Sequence, residues 1–467
     1  MNAEYKRLES EARDVEQQIQ ELVESSVVTS TAEHVQVENK LAELHVKLGS
    51  LRHGMLLLRS VSSAKMARRI RWFIKALAHR YYSQGVREKK VHLTGGVTVT
   101  LYITYYHRSW DAEKIRKKPR RGLYPAVILP GISEKFTPAV QTRMAKAAAL
   151  LGSFEEAAQM LAEQGLSVSA NQIRKVTATL GAMLGRLTSE GALKPSGDVT
   201  GRRIVVTTDG GRVRLRERRR GKTKKGRKKF AAKWREPRLF MIYAVDQNGR
   251  LAKDFPPVID GSLGSCDQLF AMMACCLKGL SIAKADRVLF VADGAAWIWK
   301  RVPKLVKSLG LNSDRVQQLI DFWHVVEYLG KLADSKKLKG KEKKRWMTTQ
   351  KNRLLRGEIG SVVEALETLL GNRKTKDQKR WLNYFITHGL EHRRMDYSVS
   401  QSHHMPIGSG AIESAVRRVI NLRVKSNGMY WLRENAETMI RLRAWIKAGR
   451  AQELFQQTTC VTPSMAI

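Results

Sequence analysis

Asp209 closes an apolar run at residues 204–211, IVVTTDGG, and Asp293 closes a second at residues 287–294, RVLFVADG. The β-branched residues ahead of each aspartate predict strands, and the glycines behind them predict an abrupt stop with room for close approach. Two carboxylates at strand ends of one sheet suit a hard divalent cation. Mg2+ or Mn2+ takes one or two such ligands and leaves its other positions to water and phosphate oxygens. Either Asp-Gly alone also reads as a simple turn. The repetition of the design, and the charge around it, favour a metal site.

Two-metal phosphoryl transfer calls for a third carboxylate, because ions about 3.5 to 4 Å apart must be bridged and flanked. Residues 405–425, MPIGSGAIESAVRRVINLRVK, offer Glu413 in the first turn of a helix that Ser409 could cap. Glu413 and Arg417 could equally be an ordinary i,i+4 pair. Asp260, in VIDGS, is the rival third ligand, although it is expected to follow the third strand rather than converge with the other two.

These residues sit in a chain of 467 with 84 Lys and Arg against 43 Asp and Glu, a formal net charge of +41. So much positive charge is best tolerated beside a polyanion, which makes nucleic acid the expected partner, with an anionic membrane surface the less favoured option. No apolar run approaches the roughly 20 residues of a membrane span, and the opening residues lack a signal-peptide pattern, so no membrane partner and a cytoplasmic location are expected. The four cysteines, Cys266, Cys275, Cys276 and Cys460, show neither zinc spacing nor a disulfide framework.

The elements that must position the carboxylates follow in order. Residues 1–60 read as two helices interrupted at SSVVTST, either a coiled coil for self-association or a helical prefix packed on its own domain. Residues 61–130 hold a basic, aromatic-rich helical segment at 65–90, a β-hairpin at 91–107 and a basic loop at 114–121. Residues 131–195 end in a helix-turn-helix outline, with Arg174 and Lys175 on the second helix where DNA contacts would arise.

Residues 200–322 carry the strands, predicted in the order β-β-β-α-β-α-β, for an α/β class core built on a mixed sheet of about five strands. Between the first two strands lies RVRLRERRRGKTKKGRKKF, read as a long basic hairpin whose Arg216, Arg219, Arg220, Lys224 and Lys225 would hold a phosphate backbone. A solvated tip is the plainer alternative. Residues 323–400 are helical and form an insertion, 401–450 return to the core, and 451–467 are a tail. Beyond Glu413, Arg417, Arg418, Arg423 and Lys425 are further expected DNA contacts. Trp297, Trp299 or Trp323 could stack on a base flipped out at the cut site, though tryptophans so placed are commonly core.

The combination TTDGG, VADGAAWIW, DFWHVVEYL, IGSGAIES, NLRVK and GMYWLRENAETMIRLRAW resembles bacterial insertion-sequence transposases of the Kra type. The resemblance spans residues 94–445. It implies a ribonuclease-H-like core with a helical insertion and a DDE triad of Asp209, Asp293 and Glu413. It also matches Asp321 and His324, in DFWH, to a signature of related transposases, with a packed structural role for His324 equally open. The family tends to carry a cysteine-rich knuckle in the region of residues 105–125, where this chain has no cysteine, so no zinc is expected. Joining two DNA ends implies a homo-oligomer. A DNA-binding descendant without chemistry, and a metal-dependent nuclease that cuts without joining, are the alternatives.

Overall fold

The structure is a computed structural model that describes residues 2–78, 80–108, 122–223, 226 and 228–459. The chain forms two compact units, Met1–Met183 with Phe455–Ile467, and Leu184–Leu454.

The first unit contains α1 (Asn2–Ser25), α2 (Thr31–Val61), α3 (Ala64–Lys75), β1 (Tyr81–His92), β2 (Thr98–Arg108), β3 (Gly122–Leu123), α4 (Pro125–Ile128), α5 (Pro138–Leu150), α6 (Phe154–Glu163) and the start of α7 (Ala170–Ser189). Ser30 and Glu33 form a capping box that starts α2 and so separates the two long helices. Leu8, Ala12 and Val15 of α1 and Leu44, Leu48, Leu51 and Leu58 of α2 bury against Val91, Val99, Leu101 and Ile103 of the β1–β2 hairpin. The apolar stripe of the N-terminal helices is thus used inside the unit, as a helical prefix packed on its own domain.

The expected helix over residues 65–90 stops at Lys75, and Tyr81 already begins β1. Most of that strand is exposed on both faces, so it carries no alternation of apolar and polar residues to mark it. The basic loop at 114–121 lies outside the described residues. Farther on, α6 and α7 are joined by a turn at Gly165, whose φ of 77° favours glycine. Ser169 and Gln172 exchange hydrogen bonds at the start of α7.

In the second unit, β4 (Arg203–Gly210), β7 (Arg238–Val245) and β8 (Val258–Ser262) pair antiparallel in succession, and β9 (Arg287–Ala292) and β10 (Val316–Ile320) extend the sheet in parallel from the other side of β4. The strand order is β10-β9-β4-β7-β8. A separate ribbon, β5 (Val213–Lys222) paired with β6 (Lys228–Arg235), leaves the sheet between β4 and β7. The expected mixed five-stranded α/β sheet is therefore present, with its third strand later than the turn at residues 246–249 suggests.

Helix α8 (Cys266–Gly279) joins β8 to β9, and α9 (Ala296–Trp299) with α10 (Val302–Ser308) joins β9 to β10. An all-helical stretch follows: α11 (Phe322–Ser335), α12 (Gly340–Leu355), α13 (Ile359–Leu370), α14 (Lys376–Phe385) and α15 (Tyr397–Ser402). The chain returns to the sheet with α16 (Gly410–Val416), a π-helical turn at Arg417–Asn421, α17 (Arg433–Lys447) and α18 (Ala451–Thr459), whose last residues belong to the first unit. Among the described residues no helix is long and apolar enough to cross a membrane.

Candidate active site

Ile204, Val205 and Val206 are buried between two neighbouring strands, and this is what drives β4 through the middle of the sheet. The parallel register of β4 on β9 pairs Thr207 with Val291. Continued by two residues, it sets Asp209 beside Asp293 on strands about 4.8 Å apart. Both aspartates therefore stand at one end of one sheet, Asp209 one residue before the end of β4 and Asp293 one residue beyond β9.

The glycines after them are spaces for other side chains. A Cβ on Gly211 would fall 2.7 Å from Ile420 Cδ1, so α16 and its π-helical extension close down on the end of β4. A Cβ on Gly294 would fall 2.1 Å from Tyr384 Cε2. The loop after Asp293 is pinned twice more: Asp293 Oδ1 accepts from the Ala295 N–H at 3.0 Å, and the Asp293 carbonyl accepts from Trp299 Nε1 at 2.6 Å.

Glu413 arrives on α16, which packs on β4 and β7 through Ile412, Ala415 and Val416 and leaves the glutamate exposed. Ser409 stands at the head of this helix but does not cap it. Its hydroxyl donates to Asp321 Oδ2 at 2.6 Å, and its backbone N–H donates to the same oxygen. Asp321, only 1% exposed, also caps α11 through Oδ1, which accepts from the N–H groups of Trp323 and His324. A buried acceptor outcompetes a local cap here because it satisfies the serine hydroxyl and amide together.

Asp209, Asp293, Glu413 and His324 share one electrostatic field. Burial is the largest cause of a raised Asp209 pKa; the Gly210 N–H opposes it, Asp293 and Glu413 add to it by repulsion, and His324 pulls it back. In a chain so rich in Lys and Arg, none of the three carboxylates has an ion-pair partner among the described residues. Glu413 is not paired with Arg417. Unpaired carboxylates that repel one another are poor stabilisers of a fold and a suitable oxygen donor set for a hard divalent cation. Among the described residues no group of three or more Asp, Glu, His or Cys side chains is placed to hold a metal ion.

Asp260 lies within β8, on the far side of β7 from β4, and is 2% exposed. It accepts from Arg441 Nε and Nη2 at 3.1 and 2.9 Å, from the Gly261 N–H at 2.8 Å and from Trp445 Nε1 at 3.3 Å. A carboxylate so fully engaged has nothing left for a metal, and the rival third ligand is set aside.

The expected DNA contacts divide. Arg174 and Lys175 are exposed on α7, and Arg216, Arg219, Arg220, Arg417 and Lys425 are exposed in the second unit. Arg418 is half-buried, with Nε donating to the Ser414 carbonyl. Arg423 is a correction: it is 2% exposed and lies under the Trp431 ring at 5.2 Å, held in the interior by the aromatic face rather than offered to a phosphate. Lys224 and Lys225 lie outside the described residues.

Of the tryptophans, Trp299 is buried beneath Arg394, and Trp297 is held by Arg238 and Phe270. Trp299 is closed to a base, whereas Trp297 is half-buried. Trp323, beside His324, is 62% exposed. His324 Nδ1 is 3.8 Å from Glu327.

Tyr384 was not visible as a site residue from sequence. Its ring stacks on Tyr328 at 4.2 Å and fills the space over Gly294, and its hydroxyl is buried without a hydrogen-bond partner. Gly294 was a local signal that something approaches closely; its partner lies 90 positions away, with nothing in between to identify it.

The chain matches no protein-family profile. It matches no curated protein. Among solved structures, the Drosophila P element transposase strand transfer complex aligns over 70% of this chain and 81% of that one, at 10% identity and a TM-score of 0.23. A likeness so slight does not bear on fold or activity.

Proposed function

We propose that the chain is a metal-dependent DNA-cutting and strand-joining enzyme, a DDE transposase with a ribonuclease-H-like core. One observation carries the reading: Asp209 and Asp293 at the ends of adjacent parallel strands and Glu413 on the helix packed on β4 and β7, all three without an ion-pair partner among the described residues. The sheet supports it as well, since three antiparallel strands followed by two parallel ones on the opposite side of the first is the ribonuclease-H arrangement. The charge of +41 supplies the reason for a DNA substrate.

Asp209, Asp293 and Glu413 would hold Mg2+ or Mn2+, and no zinc is required. When bound, the ions would supply the charge that activates an attacking water or 3′-hydroxyl and steadies the leaving oxygen at phosphorus. The protein's own part is placement. Asp209 and Asp293 are fixed by strand register, Glu413 by the Asp321 anchor on Ser409, and Tyr384 with Trp299 hold the Asp293 loop. Arg417 and Lys425 follow Glu413 on the exposed side, where they would bind backbone phosphates. In the first unit, α6 and α7 would act as a helix-turn-helix, presenting Arg174 and Lys175 to duplex DNA. Pairing of two DNA ends calls for a homo-oligomer.

The test is cleavage and strand transfer with end-containing DNA in Mg2+ or Mn2+, beside Asp209→Ala, Asp293→Ala and Glu413→Ala. The reading expects wild type to cut and join, and each variant to bind DNA and remain inert. Wild type that binds without cutting, or variants that cut normally, would overturn it.

A further inference from the structure

The β5–β6 ribbon has two unlike faces. Val213 and Leu215 are buried on one, and Arg214, Arg216 and Arg218 stand on the other, with Trp234 directly across from Arg214 and Phe230 across from Arg218. The cationic face is an interleaved stack rather than a simple basic run. Arg214 lies 5.3 Å from the Trp234 ring and 4.9 Å from the Tyr430 ring; Tyr430 lies 5.6 Å from Phe230, and Arg216 covers Phe230 at 4.9 Å. Cations that neutralise phosphates are here interleaved with flat apolar faces.

Trp234 is 53% exposed, although its size and hydrophobicity favour burial. It lines a groove of about 470 Å³ with Arg212, Arg235, Asn421 and Lys425. The groove also includes Glu236, which is paired with Arg238 at 3.3 Å. Gly210 and Gly211, the residues directly after Asp209, also line it. A space of this size is on the scale of about one or two nucleotides. The aromatic faces select further, since bases within a duplex are already stacked on one another and only an unpaired strand offers a free face.

We propose that this groove is a track for one unpaired DNA strand, with Trp234 stacking on a base while Arg212 and Lys425 hold phosphates and lead the strand to the carboxylates. The inference rests on the DNA-cutting reading of that site and adds its substrate form: a frayed or melted end rather than an intact helix. Phe230 and Tyr430 continue the stacking surface along the ribbon.

The experiment measures anisotropy of a fluorescein-labelled 20-mer of dT and of a labelled 20-base-pair duplex, in EDTA, with the full chain. Trp234→Ala is expected to weaken single-strand binding by about tenfold and duplex binding by less than twofold, with Trp234→Phe retaining most of the single-strand affinity. Unchanged thermal unfolding of Trp234→Ala confirms that the comparison is between folded proteins; Phe230→Ala gives a second, independent reading in the same direction. Equal losses on both probes, or no loss on either, would overturn the track. In EDTA no cleavage takes place, so binding is read apart from the chemistry. Failure of the carboxylates in cleavage would therefore remove the catalytic reading while leaving the binding result to stand or fall by itself.

Discussion

Asp321 and Ser409, 88 residues apart, are joined through both the amide and the hydroxyl of the serine on one buried carboxylate oxygen. The other oxygen of Asp321 caps α11, so one side chain ties the start of the helical stretch to the helix bearing Glu413. Asp321→Ala strands four donors and is expected to cost about 3 kcal/mol, whereas Ser409→Ala is expected to cost about 1 kcal/mol. Urea unfolding at equilibrium measures both. Ser409→Ala should also lower the cleavage rate by more than its stability loss explains, because Glu413 loses its anchor; a folded Ser409→Ala with wild-type rate would remove Asp321 from the positioning role.

The raised pKa of Asp209 has a definite thermodynamic sign. An acid whose folded pKa lies above its unfolded value binds its proton more tightly in the folded state, so its contribution favours folding at low pH and is lost as pH rises through that window. At pH 7 the ionised Asp209 is a burden on the fold. Asp209→Asn should therefore be inactive yet melt at a higher temperature than wild type at pH 7, with the gap closing below the ordinary aspartate value of about 3.9. Adding Mn2+ should raise the melting temperature of wild type and leave that of the variant unmoved. A variant no more stable than wild type at neutral pH would mean that the carboxylates do not strain the free site.

Much of this arrangement was legible in sequence, and for identifiable reasons. Strands buried on both faces, such as β4 and β9, announce themselves as continuous apolar runs, and an aspartate followed by glycine marks where they end. Arg423 was misread because basic residues in a row look alike, and only the fold reveals which one faces the Trp431 ring. The ribbon is legible as a long basic hairpin, and the period-two alternation of VRLRER is the signal that its cations share one face. Partnerships over long separations, Asp321 with Ser409 or Gly294 with Tyr384, leave no local trace, since each half is also compatible with an ordinary cap or turn.

Gly294 and Tyr384 form a testable pair. A methyl group at residue 294 would lie 2.1 Å from the tyrosine ring, inside any allowed contact. Gly294→Ala is expected to cost roughly 3 kcal/mol, at the upper end of overpacking, and to reduce cleavage by displacing the Asp293 loop. Combining it with Tyr384→Leu should cost clearly less than the two changes summed, since the leucine vacates the space the methyl needs. A double-mutant cycle in urea gives the coupling; strict additivity would show that the ring is free to move aside and does not hold the loop.

The Asp260 and Arg441 pair separates structural carboxylates from those proposed to hold metal. With two hydrogen bonds between them and both side chains buried, Arg441→Met would leave Asp260 charged in the interior, at a cost of about 3 to 5 kcal/mol. Replacing both, Asp260→Leu with Arg441→Met, should recover most of that loss, because the desolvation of two charges disappears along with their attraction. Asp260→Asn keeps one acceptor oxygen but turns an amide NH2 donor toward other donors and removes the charge facing Arg441, so it should be less stable than wild type while still gaining melting temperature on addition of Mn2+. If the Mn2+ shift vanished in Asp260→Asn and persisted in Glu413→Gln, the third ligand would be Asp260, and the sheet would have to open at β8 to admit it.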